Sequence, residues 1–153
     1  MCSGRQDART NDLRTGLLLA NAEVRLAANS LLPGYCVVAW SGRHVSESFE
    51  LAPEESAAYW HDVELVAQAI NSVFAPMKIN LMTLGNWVPH LHTHVVPRYV
   101  DDPAPGDPIA YADMFSPDAD DPEVFSANAD RLGQAIRSAS QMPWTSSASS
   151  TRS

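Results

Sequence analysis

The chain is short of positive charge and of cysteine, and each shortage excludes a class of protein. Among its 153 residues Lys78 is the single lysine, and the formal net charge is −8. A protein that binds nucleic acid through phosphates needs a basic face, so we expect no nucleic-acid partner. Cys2 and Cys36 are too few for a disulfide framework or a four-cysteine zinc site, and Cys36 in its apolar run is expected to be a buried thiol.

Long hydrophobic runs are also missing. No apolar stretch approaches the length of a membrane-spanning helix, so we expect no membrane partner. The run Leu17-Leu18-Leu19-Ala20 is too short for the core of a signal peptide and follows mixed charges, which favours a cytoplasmic protein. We expect one domain over residues 13–144, preceded by a mobile segment at 1–12 and followed by a disordered serine-rich tail at 145–153.

Hydrophobic patterning predicts an α+β domain built on an antiparallel sheet. Alternation or apolar runs predict strands at 23–27, 35–40, 78–84 and 91–96, with 35–40 central and the last two adjacent and antiparallel. Apolar residues at helical spacing predict a long helix from Pro53 to Pro76, and Asp121-Pro122-Glu123 marks the start of a second. The segment 13–20 fits a short helix or an extended run equally well.

Three of the five histidines lie together in the stretch Pro89-His90-Leu91-His92-Thr93-His94-Val95-Val96-Pro97-Arg98. Alternation is the period of a β-strand, so these histidines are predicted to share one face over about 13 Å, with Leu91 and Val95 on the opposite face. Imidazole suits proton transfer, metal ligation and nucleophilic attack near neutral pH. The stretch therefore predicts a functional site.

Negative charge is concentrated just after this stretch. Between Asp101 and Glu123 there are eight acidic residues and no Lys or Arg. Proline, aspartate and glycine predict an ordered loop with little regular structure there, and Asp101 and Asp102 are expected in a solvated turn. Arg98 has two possible partners, a substrate phosphate or one of these carboxylates.

The region from about Pro33 to Tyr99 resembles the histidine triad (HIT) family of nucleotide hydrolases and transferases. The family's triad of histidines separated by single residues matches His90, His92 and His94. The other matching positions lie in the same order as in the family: the segment Leu32-Pro33-Gly34-Tyr35-Cys36-Val37-Val38, the lone histidine His44, the asparagine Asn80 before the triad, and Asn86 where many members carry glutamine.

This resemblance implies a five-stranded antiparallel sheet with two helices, usually paired as a homodimer. It implies that His92 attacks an α-phosphorus and forms a nucleotidyl-imidazole intermediate. His90 and His94 would hold its orientation and the phosphate oxygens, and His44 would support the same cluster. The implied substrates are nucleotides with a phosphoanhydride bond, above all dinucleoside polyphosphates such as diadenosine tetraphosphate, with water or phosphate as the second acceptor.

The resemblance also implies how substrate is held. Asn80 and Asn86 would position phosphates or ribose, and the chemistry needs no metal or other cofactor, although a divalent cation can accompany the polyphosphate. Trp87 departs from the family, which often has a small hydroxyl residue there to assist the leaving group, and this weakens a phosphoramidase interpretation. Trp87 could stack on a nucleobase or cover an edge of the core.

Two other hypotheses use the same histidines. A His-x-His strand is a zinc-ligating arrangement that His94 or His44 could complete, which would give a metal-dependent hydrolase or a zinc-binding protein. Alternatively, the triad could serve a catalytically weak nucleotide-binding regulator, because binding and catalysis would use the same residues. Bound zinc would indicate the first, and tight nucleotide binding without product the second.

Overall fold

The computed structural model describes residues 13–116, 118 and 121–141, which form a five-stranded antiparallel sheet and two helices. The strand order is β1-β2-β3-β5-β4. The predicted α+β class and sheet are confirmed, whereas the segments expected to be mobile at 1–12 and disordered at 145–153 lie outside the described residues. The elements are β1 (Leu13–Leu18), β2 (Ala22–Ala27), β3 (Cys36–Trp40), α1 (Pro53–Phe74), β4 (Lys78–Met82), β5 (His92–Arg98) and α2 (Pro122–Ser140).

The strands differ from the sequence prediction mainly at their ends. The segment whose structure was left open is β1, an edge strand whose inner backbone groups pair antiparallel with β2. β4 ends at Met82, two residues before the predicted end. β5 begins at His92, so His90 precedes the strand in a turn in which its N–H donates to the Val88 carbonyl at 2.8 Å. Pro89 has no N–H to give to a ladder, which favours this late start.

Both predicted helices are present and begin at the expected signals. α1 starts at Pro53, and the Glu55 carboxylate accepts from the Ala52 N–H at 2.8 Å. α2 starts after Asp121, whose carboxylate accepts from two backbone N–H groups of the first turn. Within the described part of the chain, neither helix has the length and apolar character needed to cross a membrane.

α1 packs against one face of the sheet, α2 packs against α1, and the main core is formed by residues of the two helices and the strands. This core holds the Cys36 thiol, which has no exposed surface, as the sequence predicted. A smaller apolar cluster lies on the opposite face, where the segment after β5 covers the sheet. Leu91, just before β5, and Val95 within it lie in the main core, whereas the next strand residue, Val96, lies in the smaller cluster. The smaller cluster is built from Ala27, Leu32, Tyr35, Val37, Val96, Ile109 and Met114.

Candidate active site

His92 is held in one tautomer by the backbone just before it. Its Nδ1 lies 2.6 Å from the carbonyl oxygen of His90. A carbonyl can only accept a hydrogen bond, so Nδ1 carries the proton and Nε2 keeps its lone pair. The side chain is half-buried, which leaves Nε2 able to meet a ligand. A neutral imidazole prepared in this way is a competent nucleophile.

His44 and His90 form a second pair of histidines at the start of the site. Their Nδ1 atoms are 3.2 Å apart and their rings stack with centroids 5.4 Å apart. Because His90 Nε2 donates to the Trp40 carbonyl at 2.7 Å, its Nδ1 can accept from the His44 Nδ1–H. The Leu91 N–H donates to the Val45 carbonyl at 2.8 Å and ties the two segments together. The expected row of three histidines is thus two connected pairs, because His90 lies outside the strand.

His94 is enclosed on the smaller-cluster side of the sheet, next to His92. The two imidazole centroids are 5.0 Å apart, and only 5% of His94 is exposed. Desolvation by burial, followed by the charge of His92, lowers the pKa of His94 to about 4, so its ring is neutral at physiological pH. The Tyr111 ring meets it edge-on at 5.7 Å.

Tyr35 is a site residue that the sequence analysis missed. Its hydroxyl oxygen lies 2.6 Å from His94 Nδ1, and the tyrosine is fully buried. The sequence placed Tyr35 only at the start of a strand. Tyr35 lies two residues before Val37, so the two side chains are expected on the same face of the sheet. Val37 pairs with His94, but the sequence does not reveal this pairing, because it depends on β3 lying beside β5.

Arg98 holds the acidic segment that follows β5. Its Nε and one terminal nitrogen donate to the Asp102 carboxylate at 2.7 and 3.0 Å. The remaining donors go to Asn80 Oδ1 at 2.8 Å and to the carbonyls of Asp107 and Ala104. All five guanidinium N–H groups are therefore satisfied within the chain. Of the two expected partners, the carboxylate is the one observed.

Asp102 is buried, so the expectation of a solvated turn is wrong for this residue. Besides Arg98, its carboxylate accepts from the N–H groups of Tyr99 and Ala104. The hydrogen bond with Arg98 is the main reason that the pKa of Asp102 is lowered to about 2. The carboxylate thus accepts its hydrogen bonds from groups of the protein. These hydrogen bonds hold the start of the segment that brings Tyr111 to His94.

The other predicted substrate-binding residues occupy different environments. Asn80 on β4 is half-buried and shares a hydrogen bond with Arg98, whereas Asn86 is exposed. Trp87 is 84% exposed and does not cover an edge of the core. It lies three residues before His90, so its indole is free to meet a planar ligand near the histidines.

The zinc-site hypothesis has no cluster to support it among the residues that the structure describes. No group of three or more His, Cys, Asp or Glu side chains is arranged there to hold a metal ion. His90 uses both ring nitrogens in hydrogen bonds within the chain, whereas His92 and His94 each use only Nδ1 in the short hydrogen bonds described above.

Comparison with known proteins identifies the family. Residues 19–101, more than half of the chain, match the family model described as HIT domain. The chain belongs to the histidine triad (HIT) family. Nucleotide hydrolases and transferases are among the members of this family. The matched range includes His44, His90, His92 and His94.

Among HIT relatives, Protein hit from Bacillus subtilis (strain 168) is 33% identical over 61 residues, which are 37% of this chain and 42% of that protein. The match therefore spans less than half of that relative. A HIT protein from Sinorhizobium meliloti 1021 has a crystal structure that superposes with a TM-score of 0.70 at 26% identity, covering 78% of this chain and 89% of the other.

A more distant HIT structure is similar in fold. Diadenosine triphosphate hydrolase from Plasmodium falciparum, solved in complex with cyclomarin A, matches with a TM-score of 0.57 at 13% identity. The match covers 80% of this chain and 75% of that one. At this level of identity the likeness shows the common fold alone.

Proposed function

We propose that this protein is a nucleotide hydrolase that cleaves a phosphoanhydride at the α-phosphate through a nucleotidyl-His92 intermediate. Dinucleoside polyphosphates such as diadenosine tetraphosphate are the proposed substrate class, by analogy with the HIT hydrolase named above. The observation that supports the proposal most directly is the 2.6 Å hydrogen bond from His92 Nδ1–H to the His90 carbonyl. It leaves Nε2 unprotonated without help from any group outside the segment.

In the first step Nε2 of His92 attacks the α-phosphorus. A P–N bond forms as the P–O bond to the rest of the polyphosphate breaks, and negative charge passes to the departing oxygen. The Nε2–H group of the neighbouring His94 then stabilises charge on an equatorial phosphoryl oxygen. Trp87 has no acidic proton to give to the departing oxygen, so we assign it to binding. The departing oxygen takes its proton from water, and a divalent cation that accompanies the polyphosphate would stabilise its negative charge.

In the second step an acceptor oxygen attacks phosphorus and the P–N bond breaks. With water as acceptor a mononucleotide is released, the water gives up a proton, and His92 returns to its neutral form. Inorganic phosphate in place of water would release a nucleoside diphosphate and make the protein a phosphorylase. The open position of half-buried His92 supports access by either acceptor.

We also propose a homodimer. β4 pairs with β5 on one side and is an edge strand of the described sheet, so the backbone groups of its outer side need a partner. Leu81 on this edge strand and Leu84 just after it are each 46% exposed. Pairing with a second copy would cover both. Analytical ultracentrifugation should give a dimer, and Leu81→Lys should shift it towards monomer; a wild-type monomer at micromolar concentration would contradict the dimer.

The catalytic proposal is tested by chromatography of products formed from diadenosine tetraphosphate. Wild-type protein is compared with His92→Asn and with His61→Asn, which removes an exposed histidine of α1 as a matched control. Mononucleotide should appear with the wild type and the control and not with His92→Asn. Acid quenching followed by mass spectrometry should find one nucleotidyl group on His92 in the wild type.

Each other outcome has a definite meaning. Unchanged turnover in His92→Asn would overturn the assignment of the nucleophile. Tight nucleotide binding without product from any phosphoanhydride substrate would replace hydrolysis by the regulator hypothesis. Stoichiometric zinc whose removal abolishes activity would establish the metal-dependent alternative. Nucleoside diphosphate formed only in the presence of phosphate would identify a phosphorylase.

A further inference from the structure

Tyr35 and His94 form a buried hydrogen bond on the catalytic face of the sheet. The Tyr35 hydroxyl oxygen is 2.6 Å from His94 Nδ1, and the two rings lie nearly parallel, with 17° between their planes. Gly34 sets up this contact: its φ of 87° is open to glycine, and a Cβ there would lie 2.5 Å from the Phe74 ring. The turn that delivers Tyr35 to His94 is therefore specified by the chain.

The direction of this hydrogen bond follows from which polar atoms the Tyr35 hydroxyl can reach. Among the described residues, His94 Nδ1 is the polar atom that the structure gives the Tyr35 hydroxyl. If Nδ1 carried the proton, the Tyr35 O–H would be a buried donor without an acceptor, which is costly. If the hydroxyl donates to Nδ1, every proton in the pair is used. Burial raises the pKa of Tyr35, so the hydroxyl keeps its proton.

We propose that Tyr35 is a positioning residue that holds His94 as the neutral tautomer with its proton on Nε2. The inference rests on the proposed function of His92, because its purpose is to supply a donor beside that nucleophile. With Nδ1 occupied, Nε2–H is the one donor His94 can present to a phosphoryl oxygen. Within the described part of the chain, the groups that face His94 and can titrate are His92 on its own strand, Tyr35 before β3 and Tyr111 after β5.

The chain offers a matched control for removal of this hydroxyl. Tyr59 on α1 is also fully buried, and its hydroxyl bonds to Thr93, which lies between the two histidines but faces the main core. Tyr59→Phe therefore removes the same group from the opposite side of the same strand. Tyr35→Phe should lower kcat by roughly tenfold or more, with a smaller change in KM, and Tyr59→Phe should leave kcat within about twofold.

A second measurement does not depend on activity. Nitrogen-15 NMR of the histidine rings should show His94 in the wild type with an unprotonated Nδ1 and a protonated Nε2. Because a donor on Nδ1 favours the neutral ring, Tyr35→Phe should raise the pH at which His94 titrates, and Tyr59→Phe should not. A purely structural role for Tyr35 would not predict this selective shift.

The outcomes separate the two proposals. A protonated Nδ1 on His94 in the wild type, or a Tyr35→Phe variant whose kcat and His94 titration both match the wild type, would overturn the role of Tyr35. An inactive wild type whose His94 has the expected tautomer and titration would leave the hydrogen bond as assigned and count against the hydrolase.

Discussion

His92 Nδ1 and the carbonyl oxygen of His90 are joined across only two positions of the chain, at 2.6 Å. The acceptor is a backbone atom, so no side-chain substitution at residue 90 removes it. The turn that leads into β5 thus fixes the His92 tautomer with its proton on Nδ1, which is the tautomer that attack through Nε2 requires. The tautomer of His92 therefore depends on the backbone of His90 and not on the side-chain pair formed by His44 and His90.

The first prediction concerns the separation of catalysis from stability at residue 92. His92→Asn should lower turnover of diadenosine tetraphosphate by at least about a thousandfold, since no other described group replaces the attacking nitrogen. The side chain is half-buried and makes its hydrogen bond locally, so unfolding free energy should change by less than about 1 kcal/mol. Steady-state rates and urea unfolding measure the two quantities. Loss of folded structure together with activity would contradict this separation.

The second prediction is an acid sensitivity that originates at His94. In the unfolded chain its pKa is about 6.5, whereas in the folded protein it is about 4. Between these values the unfolded state binds more protons, so stability is lost as pH falls through this window and regained as pH rises. From about pH 7.5 to 5.5 the loss assigned to this residue is roughly 1 kcal/mol.

Urea unfolding of His94→Gln at the same two pH values provides the comparison. The substitution carries a cost that does not depend on pH, and this cost cancels in the difference between the two measurements. The variant should lose less stability on acidification than the wild type. Equal losses in both proteins would mean that His94 is not held neutral by burial.

The third prediction concerns the ion pair between Arg98 and Asp102, whose side chains are only 4% and 1% exposed. Arg98→Met leaves the carboxylate buried without its partner and should cost about 3–5 kcal/mol of stability. Arg25→Met is the matched control, because its ion pair with Glu23 lies at the surface and should be worth less than about 1 kcal/mol. Thermal and urea unfolding compare the two, and equal costs would refute the anchoring role of Arg98.

The fourth prediction uses the end of α1, where Ala75 adopts a left-handed conformation with φ of 48° and ψ of 50°. Glycine takes this conformation without steric cost, so Ala75→Gly should stabilise the protein by about 1 kcal/mol. Ala57→Gly makes the same change at an exposed position inside the helix and should destabilise by a similar amount. The urea midpoint should rise in Ala75→Gly and fall in Ala57→Gly relative to the wild type. Shifts of both midpoints in the same direction would contradict the prediction.

Much of the fold could be predicted because its signals act over short distances. The apolar spacing of α1, the Asp121 cap of α2 and the alternation of β5 are all local and were recognised in the sequence. The ends of β4 and β5 were less well predicted, since strand ends depend on where a partner stops. β1 could not be assigned at all, because its extended conformation is stabilised by pairing with β2.

The sequence by itself determined the helices, most strands, and the common face of His92 and His94, because these depend on residues close along the chain. Only the tertiary structure decided that Tyr35 meets His94 across 59 positions and that Arg98 and Asn80 share a hydrogen bond across 18. The physical reason is that β5 lies between β3 and β4, which are distant from each other in the sequence. Sequence periodicity fixes the face on which a side chain lies, whereas its contact partner is fixed by strand order and by the path of a covering loop.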